Sequence, residues 1–192
     1  MAALTRKRVV RAVVFAAAIV LVSLGCYRAY CELFVVAPIP PHHGDGEFHD
    51  ITRKPGPLVI RGYEISMPSF DLGKPLTAEY HLASLPDIGR DCGTYLAYRD
   101  PKSLSYGLHR LLDGWLELEV TDRRGRVVAA SSGRLRDYTC MQTLDLHAFY
   151  QLNKSSFRPD RGEEYTIRLS YQPDVRLAGH RGYAYVRSGG GK

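Results

Sequence analysis

The segment that most constrains the fold is residues 157–171, FRPDRGEEYTIRLSY, which joins a turn to an alternating strand. Apolar and polar side chains alternate along it, with Tyr165, Ile167, Leu169 and Tyr171 on one face and Thr166, Arg168 and Ser170 on the other. A period of two is typical of a strand that buries one face and exposes the other. Upstream, Pro159 presets φ and Gly162 accepts a positive φ, which indicates a turn. The segment therefore predicts one strand of a sheet that packs on a core.

The spacing Phe157-x-Pro159-x-x-Gly162-x-x-Tyr165 resembles the tyrosine corner of immunoglobulin-like and fibronectin-type sandwiches, in which the tyrosine hydroxyl bonds back to the upstream backbone. The resemblance implies a fold and no activity. Further strands are predicted at residues 58–67, 76–85, 94–98, 115–121, 126–130, 138–146 and 183–187. Within the folded domain, only residues 103–113 show a helical period. We therefore expect a mostly β domain, an antiparallel immunoglobulin-like or jelly-roll β-sandwich, preceded by an N-terminal signal-anchor helix.

Residues 1–31 are predicted to enter a membrane. The basic residues Arg6, Lys7, Arg8 and Arg11 come first, and the run 12–27 then carries no charge. As a helix this run covers about 24 Å, short of the roughly 30 Å hydrocarbon core, which fits a signal peptide or a marginal anchor. Basic residues ahead of the run should stay cytoplasmic, so the remainder of the chain is expected across the membrane.

The sequence Ser23-Leu24-Gly25-Cys26 resembles a bacterial lipoprotein signal, in which the cysteine is lipidated and becomes the mature N-terminus. The alternative is an uncleaved anchor whose Tyr27 and Tyr30 lie at the membrane interface. Either way we predict three parts: residues 1–31 as signal peptide or anchor, 32–56 as a spacer rich in Pro, Gly and His, and 57–192 as the β-sandwich.

The net charge of +6 comes largely from the N-terminal segment. Four of the 26 basic residues precede Cys26, where no acidic residue occurs, so 22 basic residues face 20 acidic ones in the rest of the chain. This balance is ordinary for a soluble surface and disfavours a nucleic-acid partner.

Three histidines of the predicted spacer, His42, His43 and His49, are weak candidates for metal ligands, because aspartate and glutamate lie among them. Neighbouring glycines leave these side chains unheld, and metal affinity requires ligands that are oriented in advance. We expect a polar spacer with no metal and no cofactor.

Cys92 and Cys140 are the only cysteines within the predicted domain. If the domain lies in an oxidising periplasm, a disulfide between them is expected, which would stabilise the fold by about 4 kcal/mol in the loop-closure model.

No motif of nucleophilic, metal-dependent or nucleotide-binding catalysis occurs in the sequence, so we expect a protein that is not an enzyme. Anchor, spacer and sandwich together resemble small membrane-anchored envelope proteins of bacteria, such as periplasmic lipoproteins and immunity proteins that neutralise toxins. The resemblance implies a binding domain with a protein partner, either in the periplasm on the inner membrane or as a periplasmic lipoprotein. The alternatives are a structural subunit of an envelope complex and a metal-dependent hydrolase that uses the spacer histidines.

The recognition surface is expected in residues 98–115, a connection longer than an ordinary hairpin. Tyrosine, tryptophan and arginine dominate interface hot spots, and the candidate residues in this segment are Tyr98, Arg99, Tyr106, His109, Arg110 and Trp115. An alternative is that Leu104, Leu108 and Leu111 cover one end of the sandwich with Trp115 buried beneath them, and both arrangements are compatible.

Overall fold

The structure is a computed structural model that describes residues 2–30, 39–53, 59–99, 108–143, 146–151 and 154–189. A helix α1, Ala2–Tyr30, comes first. Its portion Val9–Tyr30 has 22 residues, none of them buried, and an 18-residue window within it has a mean hydropathy of 2.5. At 1.5 Å per residue this portion measures about 33 Å. The helix is therefore long and apolar enough to cross a membrane, although a signal sequence would meet the same criteria.

The rest of the described chain is built almost entirely from strands. They are β1 (His43–Gly44), β2 (Glu47–Asp50), β3 (Gly62–Ser66), β4 (Phe70–Asp71), β5 (Leu76–Ala83), β6 (Cys92–Arg99), β7 (Trp115–Asp122), β8 (Val127–Arg134), β9 (Thr139–Thr143), β10 (Leu146–Tyr150), β11 (Ser156–Phe157), β12 (Glu164–Gln172) and β13 (Arg181–Gly189). All named pairings are antiparallel. The predicted mostly β fold is confirmed.

Two sheets pack face to face and form a jelly roll. The smaller sheet has the order β1-β5-β12-β7-β8, and the larger has β2-β3-β13-β6-β10-β9, with β4 beside β13 and β11 beside β6. If the short strands β1, β2, β4 and β11 and the edge strand β9 are left out, eight strands remain. Renumbered 1 to 8 along the chain, these strands have the order 2-7-4-5 in the smaller sheet and 1-8-3-6 in the larger sheet. An immunoglobulin sandwich keeps its first two strands in one sheet, whereas here they lie in different sheets. The order is that of two interlocked Greek keys.

The alternating segment at residues 164–172 lies where its pattern predicts. β12 is the central strand of the smaller sheet, and its four apolar side chains are buried in the core. The tyrosine corner is also present, because the backbone N–H of Asp160 donates to the Tyr165 hydroxyl at 2.8 Å. The Tyr165 ring lies 5.0 Å from the Phe157 ring, so the corner joins the turn before β12 to the core.

Two predicted elements differ from the structure. The strand expected at residues 138–146 is two strands, β9 and β10, which pair with each other as a hairpin. The helix expected at 103–113 is described only from residue 108, where a single 3₁₀ turn, Leu108–Leu111, takes its place. The first part of that predicted helix, including Leu104, lies outside the described residues.

Part of the predicted spacer belongs to the folded domain, which corrects the boundary at residue 57. Ile39 is buried in the core, β1 adds an edge strand to the smaller sheet, and β2 adds one to the larger sheet. Asp45 secures β1, because its N–H donates to the His81 carbonyl and its carboxylate accepts from the His81 N–H, each at 2.7 Å. The sandwich therefore includes residues from position 39 onward.

The predicted disulfide between Cys92 and Cys140 is wrong, because both cysteines are free thiols in the structure. Cys140 of β9 lies opposite Phe149 of β10, which in turn lies opposite Leu96 of β6. Cys140 is therefore two strand spacings away from β6, and Cys92 lies four residues further along β6 from Leu96. That separation is about 16 Å, far beyond the roughly 7 Å limit for Cα atoms of a disulfide. The Cys92 thiol instead lies 3.0 Å from the Tyr63 hydroxyl.

Candidate protein-interaction surface

One end of the sandwich is built from three 3₁₀ turns, Leu108–Leu111, Leu135–Asp137 and Val175–Leu177, and we call it the three-turn end. Backbone bonds join the first two turns: the Leu135 N–H donates to the Gly114 carbonyl at 2.7 Å, and the Arg136 N–H donates to the Leu112 carbonyl at 3.1 Å. A Cβ at position 114 would lie 2.8 Å from the Gln172 carbonyl oxygen, so this close approach of β12 requires glycine. The three turns thus form one continuous surface.

Asp174 holds the first and third turns together. Its side chain is only 3% exposed, and its carboxylate accepts from the backbone N–H of Arg176 at 2.7 Å, which caps the third turn. The other carboxylate oxygen accepts from the Asp113 N–H at 2.6 Å and from the Arg176 guanidinium at 3.2 Å. The same guanidinium contacts the Leu111 carbonyl. A buried carboxylate with several donors is a rigid connection, because each donor would lose a strong bond if it moved.

Three large apolar side chains are exposed on this surface. Leu111 is 56% exposed, Trp115 40% and Val175 85%, and beyond α1 the described residues contain only one other such side chain, Val127. Trp115 begins β7 opposite Gln172, two residues before Asp174, so it lies beside the third turn. Its indole N–H donates to the Glu117 carboxylate at 2.9 Å, which fixes the ring on the outer side of the smaller sheet. The exposed apolar groups are therefore concentrated at the three-turn end.

Arginines surround this apolar group. Arg134 and Arg136 both contact the Asp113 carboxylate, at 3.1 and 2.7 Å, and all three side chains remain about half exposed. Arg110 is also exposed. Beneath the surface, burial raises the pKa of Tyr138 to about 12, so this phenol stays protonated and donates to the Leu116 carbonyl at 2.8 Å. The centre is thus apolar and its margin is charged, which is the anatomy of a protein interface.

The structure brings together only some of the residues predicted for recognition. Arg110 and Trp115 lie at the three-turn end, and Trp115 is exposed and not buried beneath leucines. Tyr98 is 1% exposed and stacks on His147 inside the core, so it is unavailable to a partner, which corrects the sequence-based choice. Tyr106 lies outside the described residues, and for His109 only the backbone is described, in the 108–111 turn.

Sequence reasoning missed Val175, Arg176 and Asp174. The signal was present, because aspartate followed by a short apolar and basic stretch is a typical N-cap of a helical turn. What the sequence could not provide is the partner of Asp174 at position 113, which is 61 residues away.

Arg99 lies on a different surface, the outer face of the larger sheet. It lines an open depression of about 890 Å³ together with Glu64 and Tyr183. Beside the depression the Tyr185 ring stacks 4.7 Å from the Tyr95 ring, and Tyr185 is almost fully buried by its neighbours. Because these rings pack mainly on one another, this face presents little exposed apolar area.

The three candidate metal ligands are spread over different environments. His42 is buried and its ring N–H donates to the Asp45 carbonyl at 2.8 Å, while His43 is exposed in β1. His49 lies in β2, 3.9 Å from the Glu47 carboxylate. Within the described residues, no group of three or more His, Cys, Asp or Glu side chains is placed to hold a metal ion.

Comparison with known proteins finds no matching family model and no matching curated protein. Among solved structures, an arabinose-bound GH51 α-L-arabinofuranosidase matches 80% of this chain and 24% of its own, at 16% identity and a TM-score of 0.26. A Stig cyclase from Fischerella sp. TAU matches 79% of this chain and 80% of its own, at 12% identity and a TM-score of 0.25. The chain thus spans about a quarter of the arabinofuranosidase, and likenesses this weak carry no argument about its activity.

Proposed function

We propose that this chain is a non-enzymatic binding domain, tethered to a membrane through its N-terminal segment, which captures a protein partner through the three-turn end. The observation that carries the proposal is the group of Leu111, Trp115 and Val175, exposed on or beside the turns that the buried Asp174 holds in place. Exposed apolar side chains are costly unless a partner covers them, and they are scarce elsewhere on the described domain.

The chemistry of this surface favours a protein over a small ligand. Its apolar groups stand on projecting turns, whereas small-molecule sites are concave. Tryptophan and arginine are the side chains most enriched at interface hot spots, and both occur here. Because Asp174 fixes the turns in advance, binding would require little ordering of the surface.

The anchor supports a role at a membrane. The basic residues of α1 lie in its first turns, ahead of its apolar run, which favours a cytoplasmic N-terminus and a domain on the opposite side. We propose a periplasmic location on a bacterial inner membrane, in which Cys26, exposed on α1, is either lipidated or part of an uncleaved anchor. Neutralisation of a toxin would be one role of this class.

The test is affinity purification of the full chain from detergent-solubilised membranes of its own cells, with quantitative mass spectrometry. The variant combines Trp115→Ala with Val175→Ala, and the matched control is Val127→Ala, which removes the other exposed apolar group. We expect a specific partner to be depleted at least tenfold by the double variant, or about 1.4 kcal/mol, and to be unaffected by the control. Unchanged capture by a double variant that melts like wild type would refute the assignment of this surface.

A further inference from the structure

The chain enters the sandwich at the end opposite the three-turn end. β1 pairs His43 with Ala83 and Gly44 with Leu82, so the chain that leads into His43 arrives past the last residues of β5, on the side of the turn between β7 and β8. Eight residues, 31–38, separate α1 from Ile39. A chain of this length reaches about 28 Å at most when it is fully extended. If α1 lies in a membrane, as the proposed function requires, this end of the sandwich must stay close to that membrane.

The turn between β7 and β8 projects from this same end, and we call residues 123–127 the hairpin tip. Every residue of the tip is exposed, and a Cβ at Gly125 would meet no atom within 4 Å. Gly44 of β1 and Gly125 of the tip line the same groove of about 510 Å³, so the tip lies near the point where the chain enters. Val127, which is 55% exposed, adds an apolar side chain beside the arginines of the tip.

The tip has three arginines, and its one neighbouring acid is neutralised internally. The buried Asp122 carboxylate accepts from the backbone N–H of Arg124 and of Arg126, each at 2.9 Å, and from the Arg126 guanidinium at 2.6 Å. Burial alone would raise the pKa of Asp122, but these bonds lower it below its usual range, so it stays ionised and paired. The guanidinium groups of Arg123 and Arg124 form no ion pair with any described residue.

Other carboxylates occur at this end, but they belong to different loops. Asp87 and Asp91 precede β6, where Asp91 lies 3.8 Å from Arg158, and Asp160, Glu163 and Glu164 lie at the start of β12. Arg90, Arg158 and Arg161 lie among them and are also exposed, so these loops carry charge of both signs. At the hairpin tip, by contrast, the exposed charges are all positive.

We propose that the hairpin tip docks on the anionic headgroups of the bilayer that holds α1, through Arg123 and Arg124, with Val127 at the headgroup boundary. Arginine suits this contact because its fork of donors matches the oxygens of a phosphate. Each basic residue near an anionic membrane adds a modest attraction, and the tether keeps the tip within reach. Docking by the tip directs the three-turn end away from the bilayer, by the length of an eight-residue strand, about 27 Å.

The test uses the full chain in vesicles, with a fluorophore attached either at Val127→Cys or, as a matched control at the opposite end, at Val175→Cys. Cys26 and Cys31 are changed to serine, while Cys92 and Cys140 can stay, because burial raises the pKa of both thiols to about 11 and slows their labelling. A headgroup-attached nitroxide quencher reports proximity to the bilayer. The vesicles contain equal parts of phosphatidylcholine and phosphatidylglycerol, or phosphatidylcholine alone.

We expect strong quenching at position 127 and little at position 175 in the anionic vesicles, and weaker quenching at 127 in the neutral ones. Arg123→Ala with Arg124→Ala should lower the ratio of docked to undocked chain roughly thirtyfold, whereas the double lysine variant should keep most of it. The proposal would be overturned by equal quenching at the two labels. It would also be overturned if quenching at position 127 depended neither on lipid charge nor on the two arginines. If the chain does not stay bound to the vesicles, α1 is not a membrane anchor, and the docking proposal that depends on it is also refuted. Loss of partner capture by the Trp115 and Val175 variant concerns the other end and leaves the docking result unaffected.

Discussion

Replacing Asp174 by alanine is the sharpest test of how the three-turn end is held. The change removes one carboxylate that caps the third turn, accepts from the Asp113 N–H and pairs with the Arg176 guanidinium. It adds no bulk, so any effect comes from the lost acceptor. We expect both stability and partner capture to fall.

The magnitude follows from the separate contacts. Loss of an N-cap costs about 1 kcal/mol, and loss of a hydrogen bond to a charged, buried acceptor costs about 1.5–3 kcal/mol. The pair with Arg176, whose side chain is 45% exposed, adds less than about 1 kcal/mol. Asp174→Ala should therefore lower the free energy of unfolding by about 3 kcal/mol. Asp174→Asn keeps an acceptor of the same shape and should cost roughly half as much.

The assay is urea unfolding of the full chain in a mild detergent, followed by tryptophan fluorescence, since Trp115 is the single tryptophan and lies on this surface. Asp113→Ala is the matched control, because it removes an exposed carboxylate whose ion pairs with Arg134 and Arg136 are worth less than about 1 kcal/mol each. If Asp174→Ala unfolds within about 0.5 kcal/mol of wild type, the carboxylate does not secure the turns and the reasoning fails.

Three further predictions concern the sandwich itself. Tyr165→Phe should lower stability by about 1 kcal/mol in a thermal melt, because it removes the hydroxyl that accepts the corner bond. Cys92 and Cys140 should each take up one alkylating group after denaturation without reductant, measured by intact mass, whereas a disulfide would leave both unmodified. Because the pKa of Asp122 is lowered in the folded protein, its contribution to the free energy of unfolding is complete at neutral pH and is lost as the pH falls through that pKa. On acidification, Asp122→Asn should therefore lose less melting temperature than the wild-type protein. An identical acid response of the two proteins would contradict this.

The strands that the sequence predicts well are those whose alternation spans a whole element. β5, β7 and β12 bury one face and expose the other, and their apolar side chains recur at every second residue. Where this signal is interrupted without glycine or proline, prediction fails. Residues 142–146, between β9 and β10, contain neither, and the single Asp145 is too weak a turn signal to separate the two strands.

The remaining errors share a physical cause, which is that pairing partners are distant in sequence. β1 looks like a spacer, because His43 and Gly44 have no apolar pattern, and it is a strand only through its bonds to β5. The sequence does not encode the order of the strands in any local pattern, and only that order shows how far Cys92 lies from Cys140. The candidate surface joins Trp115 to Val175, and no local pattern could connect them.

The place of β13 has a consequence for how the chain folds. This last strand inserts between β3 and β6, pairing Gly189 with Gly62 and Tyr185 with Tyr95, so it lies in the middle of the larger sheet. Until residues 181–189 are available, β3 and β6 have no common neighbour and both present unpaired backbone. Contacts of such high sequence separation close slowly and leave apolar edges open in the meantime. A domain that is translocated across a membrane N-terminus first would therefore stay incompletely folded until β13 has crossed. During that time its unpaired strands would be accessible to a chaperone or a protease.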